Sequence, residues 1–226
     1  SGSRFIVAAK RCSLKKLSQI VTEFLKMFYR QIENYDLKGH STKHGHVSHF
    51  WVIQNKNPVI KALKKLNSRN RASRVSTFDF STLYTNIPHA ELKNVLHQLT
   101  DFCFNGCIGS KIVFDYNGAH WYHGSNEKLY KNKVKFDIHQ VKDAISYLLD
   151  NCFFSVGDSV FKQVIGIPMG SDPAPFMANL FLYHYESRFL KEYMKKNPTE
   201  ARKFEFVYRY IDDLIAINDN GEFEKN

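Results

Sequence analysis

Apolar and polar positions alternate along the chain with two different periods, and the switches between them outline the elements. Residues 4–9 (RFIVAA) form a short apolar run with strand character. Leu14, Leu17, Ile20, Val21, Phe24, Leu25 and Phe28 then recur at helical spacing and predict a helix. Residues 34–49 are polar and rich in His, which predicts a loop. A second helix is expected over about 56–67 and a strand over 75–80 (VSTFDF). Pro88, just inside a helix start, precedes Leu92, Val95, Leu96 and Leu99 at helical spacing. Ile112–Tyr116, Asn117-Gly118 and His120–His123 read as a hairpin, since Asn-Gly supplies the positive φ angles of a type I′ turn. Asp137 with Gln140 resembles a capping box that opens a helix through Leu149. A second hairpin is expected from Phe153–Val156 and Val160–Val164 around Gly157-Asp158. The Gly/Pro loop 166–175 leads into an apolar helix through about Leu190. Finally, Phe204–Tyr210 and Leu214–Asn218 are apolar strands flanking Asp212-Asp213, and Asp219-Asn220-Gly221 closes the second as a turn. Helices mixed with antiparallel hairpins predict an α+β fold rather than a doubly wound α/β sheet.

Composition narrows the class. The 226 residues are 43% hydrophobic and 24% charged, enough apolar material for a substantial core and too little charge for wholesale disorder. No uninterrupted apolar run reaches membrane-spanning length, so no membrane partner is expected. Ser1-Gly2-Ser3 reads as a cloning remnant. The net charge of +10 favours polyanionic partners, because phosphate neutralisation releases counterions. The densest basic stretch carries Lys56, Lys61, Lys64, Lys65, Arg69, Arg71 and Arg74, either a phosphate-tracking surface or a solvated face. Four cysteines in a chain this long do not suggest a disulfide scaffold, and reduced thiols point to an intracellular, cytoplasmic or nuclear setting. Cys103, Cys107, His40, His44, His46 and His49 raise the question of zinc, but their spacings match no closed structural zinc pattern.

The carboxylates carry the chemistry. Turns often contain one Asp, because its side chain accepts local backbone hydrogen bonds. Two in succession, Asp212 and Asp213, followed directly by an apolar strand, are poorly explained that way, since like charges repel. Asp79 lies inside an apolar strand, where a carboxylate is costly unless paired or coordinated. Three such groups converging on a sheet would make an oxygen-rich site suited to Mg²⁺, with substrate phosphates completing the shell. Two ions roughly 3.5–4 Å apart can clamp the attacking and leaving oxygens of a phosphoryl transfer.

Three segments in order now resemble a known family. Phe78-Asp79-Phe80-Ser81-Thr82-Leu83-Tyr84 is similar to motif A of reverse transcriptases, Gly166-Ile167-Pro168-Met169-Gly170-Ser171 to motif B, and Tyr210-Ile211-Asp212-Asp213 to motif C. Arg4-Phe5-Ile6-Val7 looks like the end of the fingers motif whose arginine contacts the incoming triphosphate. Leu83-Tyr84-Thr85-Asn86-Ile87-Pro88, Met169-Gly170-Ser171, and Ala178-Asn179-Leu180-Phe181 followed by Glu186 look closest to Penelope-like elements, relatives of telomerase.

The resemblance implies an RNA-directed DNA polymerase with an RNA template, a DNA or RNA primer and deoxynucleoside triphosphates. Asp79, Asp212, Asp213 and the Phe80 carbonyl would hold two Mg²⁺ ions, with Mn²⁺ as a substitute. Arg4, Tyr84 (as steric gate under the sugar), Gly166, Ile167, Pro168 and Gly170 would contact the nucleotide. Lys61, Lys64, Lys65, Arg69, Arg71, Arg74 and Tyr210 would contact nucleic acid. The expected organisation is fingers over 4–77, palm with motif A over 78–97, fingers again over 98–162, and palm with motifs B and C over 163–226, with no thumb.

Two features depart from the family pattern. Ile165 stands where many reverse transcriptases carry Gln just before motif B, and Gln163 lies two residues earlier. The sequence stops short of palm motif D, a thumb and an endonuclease. A domesticated relic that holds RNA or protein without polymerising is the first competing expectation. An RNA-dependent RNA polymerase is the second, and Tyr84 argues against it, since such enzymes need room for the 2′-hydroxyl.

Overall fold

The computed structural model describes residues 13–39, 47–80, 82–107, 110–123, 133–168, 170–197 and 200–218. Its chain divides into two compact units, residues 1–32 with 82–181 and residues 33–81 with 182–226. The helices are α1 (Lys15–Gly39), α2 (Asn57–Asn67), α3 (Leu83–Asn86), α4 (His89–Asn105), α5 (Ile138–Asp150) and α6 (Ala174–Lys196). The strands are β1 (Val75–Asp79), β2 (Lys111–Asp115), β3 (Gly118–Tyr122), β4 (Val134–Phe136), β5 (Phe153–Val156), β6 (Ser159–Lys162), β7 (Val207–Tyr210) and β8 (Asp213–Ile217). All strand pairs in the three sheets are antiparallel, so the fold mixes helices with antiparallel sheet as expected. No described helix is long and apolar enough to cross a membrane.

In the first unit, α1 buries Val21, Phe24, Leu25 and Phe28, α4 buries Leu92, Val95 and Leu96, and α5 buries Val141, Ile145 and Leu149. In α1 and α4 these are the i, i+3, i+4 positions read from the sequence, and in α5 they recur every four residues, so each helix buries one stripe. Phe104 and Trp121 meet edge to face at 4.8 Å between centroids. Gln31 links α1 to both neighbours, donating to the Cys103 carbonyl at 2.8 Å and accepting from Trp121 Nε1 at 2.9 Å. The Asp137–Gln140 capping box forms as predicted, with both reciprocal bonds at 2.9 Å.

The second unit is built on the sheet β1-β8-β7. Its two faces follow the period of two along each strand. Phe78, Leu214, Ala216 and Val207 face a core completed by Trp51, Leu190, Ala201 and Phe204. Ile217 and Tyr208 face the other way, against Ala62 and Leu66 of α2. A sheet covered on both faces is what the near-continuous apolar run of β8 requires.

Several expectations need correction. Helix α1 continues to Gly39, although residues 34–39 look like loop. Its polar last turns are held by tertiary bonds: Asp36 is buried and accepts from Ser48 Oγ at 2.6 Å and from the His49 amide at 3.2 Å. Pro88 is the N-cap residue of α4 rather than part of its first turn. Helix α6 runs to Lys196, beyond Leu190. Phe204 belongs to a 3-10 turn, Glu200–Phe204, ahead of β7, and β8 begins at Asp213 itself. Strand β4 has three residues, too few to show a period. The expected strand 4–9, the turn 219–221 and His40, His44 and His46 lie outside the described residues.

Candidate functional site

The register of the second unit's sheet brings distant residues together. Asp79, last in β1, pairs with Asp213, first in β8, and Asp213 pairs with Tyr210, last in β7. Directly paired residues project from the same face. Asp79, Asp213 and Tyr210 therefore form one row across three strands at one end of the sheet, on the face that α2 covers further along. All three are exposed. The expectation that Asp79 sits inside an apolar strand is corrected: it ends the strand in solvent, and burial imposes no cost there. The row places Asp79 opposite Asp213, while Asp212 occupies the turn and its carbonyl accepts from the Phe80 amide at 3.1 Å.

Ile211 and Asp212 are the two central residues of the connection between β7 and β8. Ile211 has φ +57°, and Asp212 is not among the residues with positive φ. One positive φ at the first central position is the pattern of a type II′ turn, whose usual occupant there is Gly. A β-branched residue in that conformation is a strained outlier, costing of order 1–3 kcal/mol.

Beneath the row, on the opposite face, Arg209 is fully buried and Glu186 of α6 nearly so. Arg209 Nε and Nη2 donate to the two Glu186 oxygens at 2.5 and 3.0 Å. Arg209 Nη1 donates to the Ile211 carbonyl at 2.8 Å. The Arg209 backbone bonds residues 51–53, its amide donating to Trp51 O and its carbonyl accepting from the Ile53 amide, each at 2.8 Å. No sequence motif singles out Arg209. The signal was available: alternation puts residue 209 in phase with Val207, on the buried face.

The basic stretch is exposed throughout. Lys61, Lys64 and Lys65 occupy the outer face of α2, opposite the buried Ala62 and Leu66. Asn218, at φ +63°, ends β8 by accepting from the Ser73 amide at 2.9 Å and donating to the Arg71 carbonyl at 2.9 Å. Its amide donates to the Arg74 carbonyl at 2.7 Å, so the loop carrying Arg69, Arg71 and Arg74 is fixed to the sheet. The length of β8 separates this loop from Asp213 by roughly 17 Å.

In the first unit, the motif B loop is built onto the segment that follows Asp79 in the chain. The Gly166 amide donates to Ile87 O at 2.7 Å and the Ile167 amide to Tyr84 O at 2.8 Å. Gly166 has φ +85°, and a Cβ there would lie 2.4 Å from Tyr84 O. Backbone packing against Tyr84 therefore demands this glycine. His89, missed by the sequence reading, donates from Nε2 to the Gly166 carbonyl at 2.7 Å. Tyr84 sits in the single turn α3, not at the end of β1, and is partly exposed. Pro168 is partly exposed and Gly170 exposed, but the Ile167 side chain is buried, so only its backbone can face a nucleotide. Arg4 lies outside the described residues.

The donor set is oxygen-only, exposed and open, which fits a Mg²⁺-type ion that keeps waters and substrate phosphates as ligands. Among the described residues no three His, Cys, Asp or Glu side chains close into a metal cage by themselves. Burial, with Cys107 adding, pushes the Cys103 thiol far up.

The family profile described as "Reverse transcriptase (RNA-dependent DNA polymerase)" matches residues 1–224. The chain belongs to the reverse transcriptase family. Members of that family are nucleotidyltransferases, RNA-directed DNA polymerases. Among solved structures, the fold resembles telomerase from Candida albicans in complex with a TWJ fragment of telomeric RNA. That similarity has a TM-score of 0.62 at 11% identity and covers 94% of this chain and 32% of the telomerase. It also resembles apo telomerase from Candida tropicalis, with a TM-score of 0.60 at 14% identity, covering 91% and 31%. A C-terminally truncated form of that telomerase gives 0.56 at 13% identity, covering 96% and 36%. The reverse transcriptase chain thus spans about a third of the telomerases it resembles. No curated protein matches it.

Proposed function

We propose that this reverse transcriptase domain is the fingers-and-palm core of an RNA-directed DNA polymerase. It extends a DNA or RNA primer with deoxynucleotides on an RNA template. The observation that carries the reading is the pairing of Asp79 with Asp213 on an exposed sheet end, with Asp212 in the adjoining turn. Like charges directly opposite destabilise a sheet, and divalent cations reverse that cost.

In this reading Asp79, Asp212, Asp213 and the Phe80 carbonyl hold two Mg²⁺ ions, or Mn²⁺ in their place. When bound there, such ions would supply the acidification of the primer hydroxyl and the charge neutralisation that phosphoryl transfer needs. The chain's own residues position and select. Tyr210 flanks the carboxylates as a surface for the primer end. Tyr84 is the gate under the sugar, and the backbone of Gly166, Ile167, Pro168 and Gly170 supports the nucleotide, with Arg4 on the triphosphate. Lys61, Lys64, Lys65, Arg69, Arg71 and Arg74 track phosphates, which makes binding steeply dependent on salt. The Met169-Gly170-Ser171 and Leu83–Pro88 wording supports a Penelope-like relative of telomerase.

Primer extension on an RNA template with Mg²⁺ or Mn²⁺ tests the reading. Deoxynucleotide addition that Asp213→Asn abolishes is expected. Binding of RNA with no extension under any metal would leave the domesticated relic, and equal use of ribonucleotides would indicate an RNA polymerase.

A further inference from the structure

The turn that presents Asp212 and Asp213 is strained at Ile211, and one side chain bonds the strained residue's carbonyl from inside the core. We infer that Arg209 and Glu186 are positioning residues, a buried fork that holds the Ile211 carbonyl and so fixes the metal-facing turn. The importance of that turn rests on the polymerase reading; the mechanical role of the pair does not.

Three observations carry the inference. First, Arg209 is fully buried, and a buried charge is retained at a cost that apolar residues of the same size would avoid. Second, its planar guanidinium is divided between two tasks. Two nitrogens grip Glu186 and the third donates to Ile211 O at 2.8 Å. Lysine, a single point donor, cannot make both contacts in one geometry. Third, the strand carrying Arg209 is anchored on its outer edge by the bonds to Trp51 and Ile53, so the donor is itself held still. The fork is therefore stationary relative to the sheet, and the Ile211 carbonyl is stationary relative to the fork. Without that bond, the turn backbone is free to relax from the positive φ at Ile211 toward a conformation an isoleucine prefers. That relaxation of the two-residue turn would shift the Asp212 carbonyl, which accepts from the Phe80 amide at 3.1 Å.

The Phe80 amide is thus a reporter of the turn that needs neither metal nor activity. Hydrogen exchange is measured on the full chain for wild type, R209K, E186Q and the double variant R209M/E186M. The double variant replaces the pair by apolar side chains of similar length and is expected to melt at or above wild type. Its Phe80 amide should exchange about tenfold faster, while the amides of Leu214 and Ala216 keep their protection. E186Q keeps the shape but weakens the fork, and should speed Phe80 exchange severalfold. It serves as the deciding variant if the double variant does not fold. In primer extension the expected signature is a Mn²⁺ requirement raised about tenfold with primer KM unchanged, partly restored in R209K. Wild-type exchange at Phe80 in the folded double variant, or in E186Q, would show that the pair only fills the core and would overturn the inference. Faster Phe80 exchange in variants of a wild type that never extends a primer would sink the polymerase reading and leave the positioning role standing.

Discussion

Replacing Asp79 by Asn should raise stability without metal and lower it, relative to wild type, with metal. Asp79 and Asp213 are direct cross-strand partners and both are exposed. Carboxylates at that spacing lie roughly 5–6 Å apart, and in water two unit charges there repel by about 0.7 kcal/mol. Asparagine removes the repulsion and keeps the shape, so the variant should gain about that much. For a chain of 226 residues this is a rise in Tm of about 1–3 °C.

Mn²⁺ reverses the order. At ten times its Kd the ion stabilises wild type by about 1.4 kcal/mol. If loss of one carboxylate weakens binding about tenfold, the variant gains only about 0.4 kcal/mol at the same concentration. Wild type then overtakes the variant by about 0.3 kcal/mol, and the two melting curves cross as Mn²⁺ is titrated. Differential scanning fluorimetry at fixed ionic strength, with Ca²⁺ and Mg²⁺ as further arms, reads the crossing. A variant that is less stable than wild type without metal would show that Asp79 is a structural hydrogen-bonding residue. Equal Mn²⁺ shifts in both proteins would refute the metal site.

Four further outcomes are expected, the first from the family resemblance and the others from the geometry. Tyr84→Ala should raise ribonucleotide incorporation selectively, with a smaller change for deoxynucleotides; parallel loss of both in extension assays would make Tyr84 a packing residue. Gly166→Ala places a Cβ 2.4 Å from Tyr84 O at φ +85° and should cost more than about 2 kcal/mol in urea unfolding. Replacing Lys61, Lys64 and Lys65 together by Gln should weaken template–primer binding on every sequence and flatten the slope of log K against log salt by up to about 3. Lys93 holds Asp150 at 2.8 Å, and its hydrogen bond and charge keep that carboxyl below its usual range. A carboxylate with a lowered folded pKa stabilises above its unfolded value and loses that contribution as pH falls through the folded one. Lys93→Met should therefore cost at most about 1 kcal/mol near pH 7 and almost nothing near pH 2.

What was legible in the sequence was whatever one period or one turn decides. The helical stripes of α1 and α4, the Asp137–Gln140 cap and the existence of the β2–β3 hairpin depend on neighbours within a few residues. The hairpin's connection is Tyr116-Asn117, however, and only Gly118, the first residue of β3, has positive φ, so the expected type I′ turn at Asn117-Gly118 is not formed. The Asp79–Asp213 juxtaposition was legible only through motif order, since 134 residues separate the two positions. The end of α1 was not legible, because residues 34–39 are polar and become helix through the bonds that Asp36 accepts from Ser48 and His49. Nor was the reason for Gly166, which lies in the carbonyl of Tyr84, 82 positions earlier. Arg209 was hidden by the habit of reading charge as surface. A charged residue in phase with buried neighbours is the more informative one, because it must have a partner, and Glu186 is that partner.

The division of the chain also divides the chemistry. The boundary at residues 81 and 82 cuts motif A between Asp79 and Tyr84. Asp79 belongs to the same unit as the Asp212-Asp213 turn and its Arg209–Glu186 support. Tyr84 belongs to the same unit as Gly166, whose amide and carbonyl are bonded to Ile87 and His89. Each set of residues is thus organised by long-range contacts inside its own unit. The two functions assigned to motif A then separate experimentally: substitutions at Asp79, Asp213, Glu186 and Arg209 should change metal dependence without changing sugar choice. Substitutions at Tyr84, His89 and Gly166 should change sugar choice or nucleotide affinity without moving the metal requirement. Motif A holds the two sets five residues apart in sequence, Asp79 ending β1 and Tyr84 in α3.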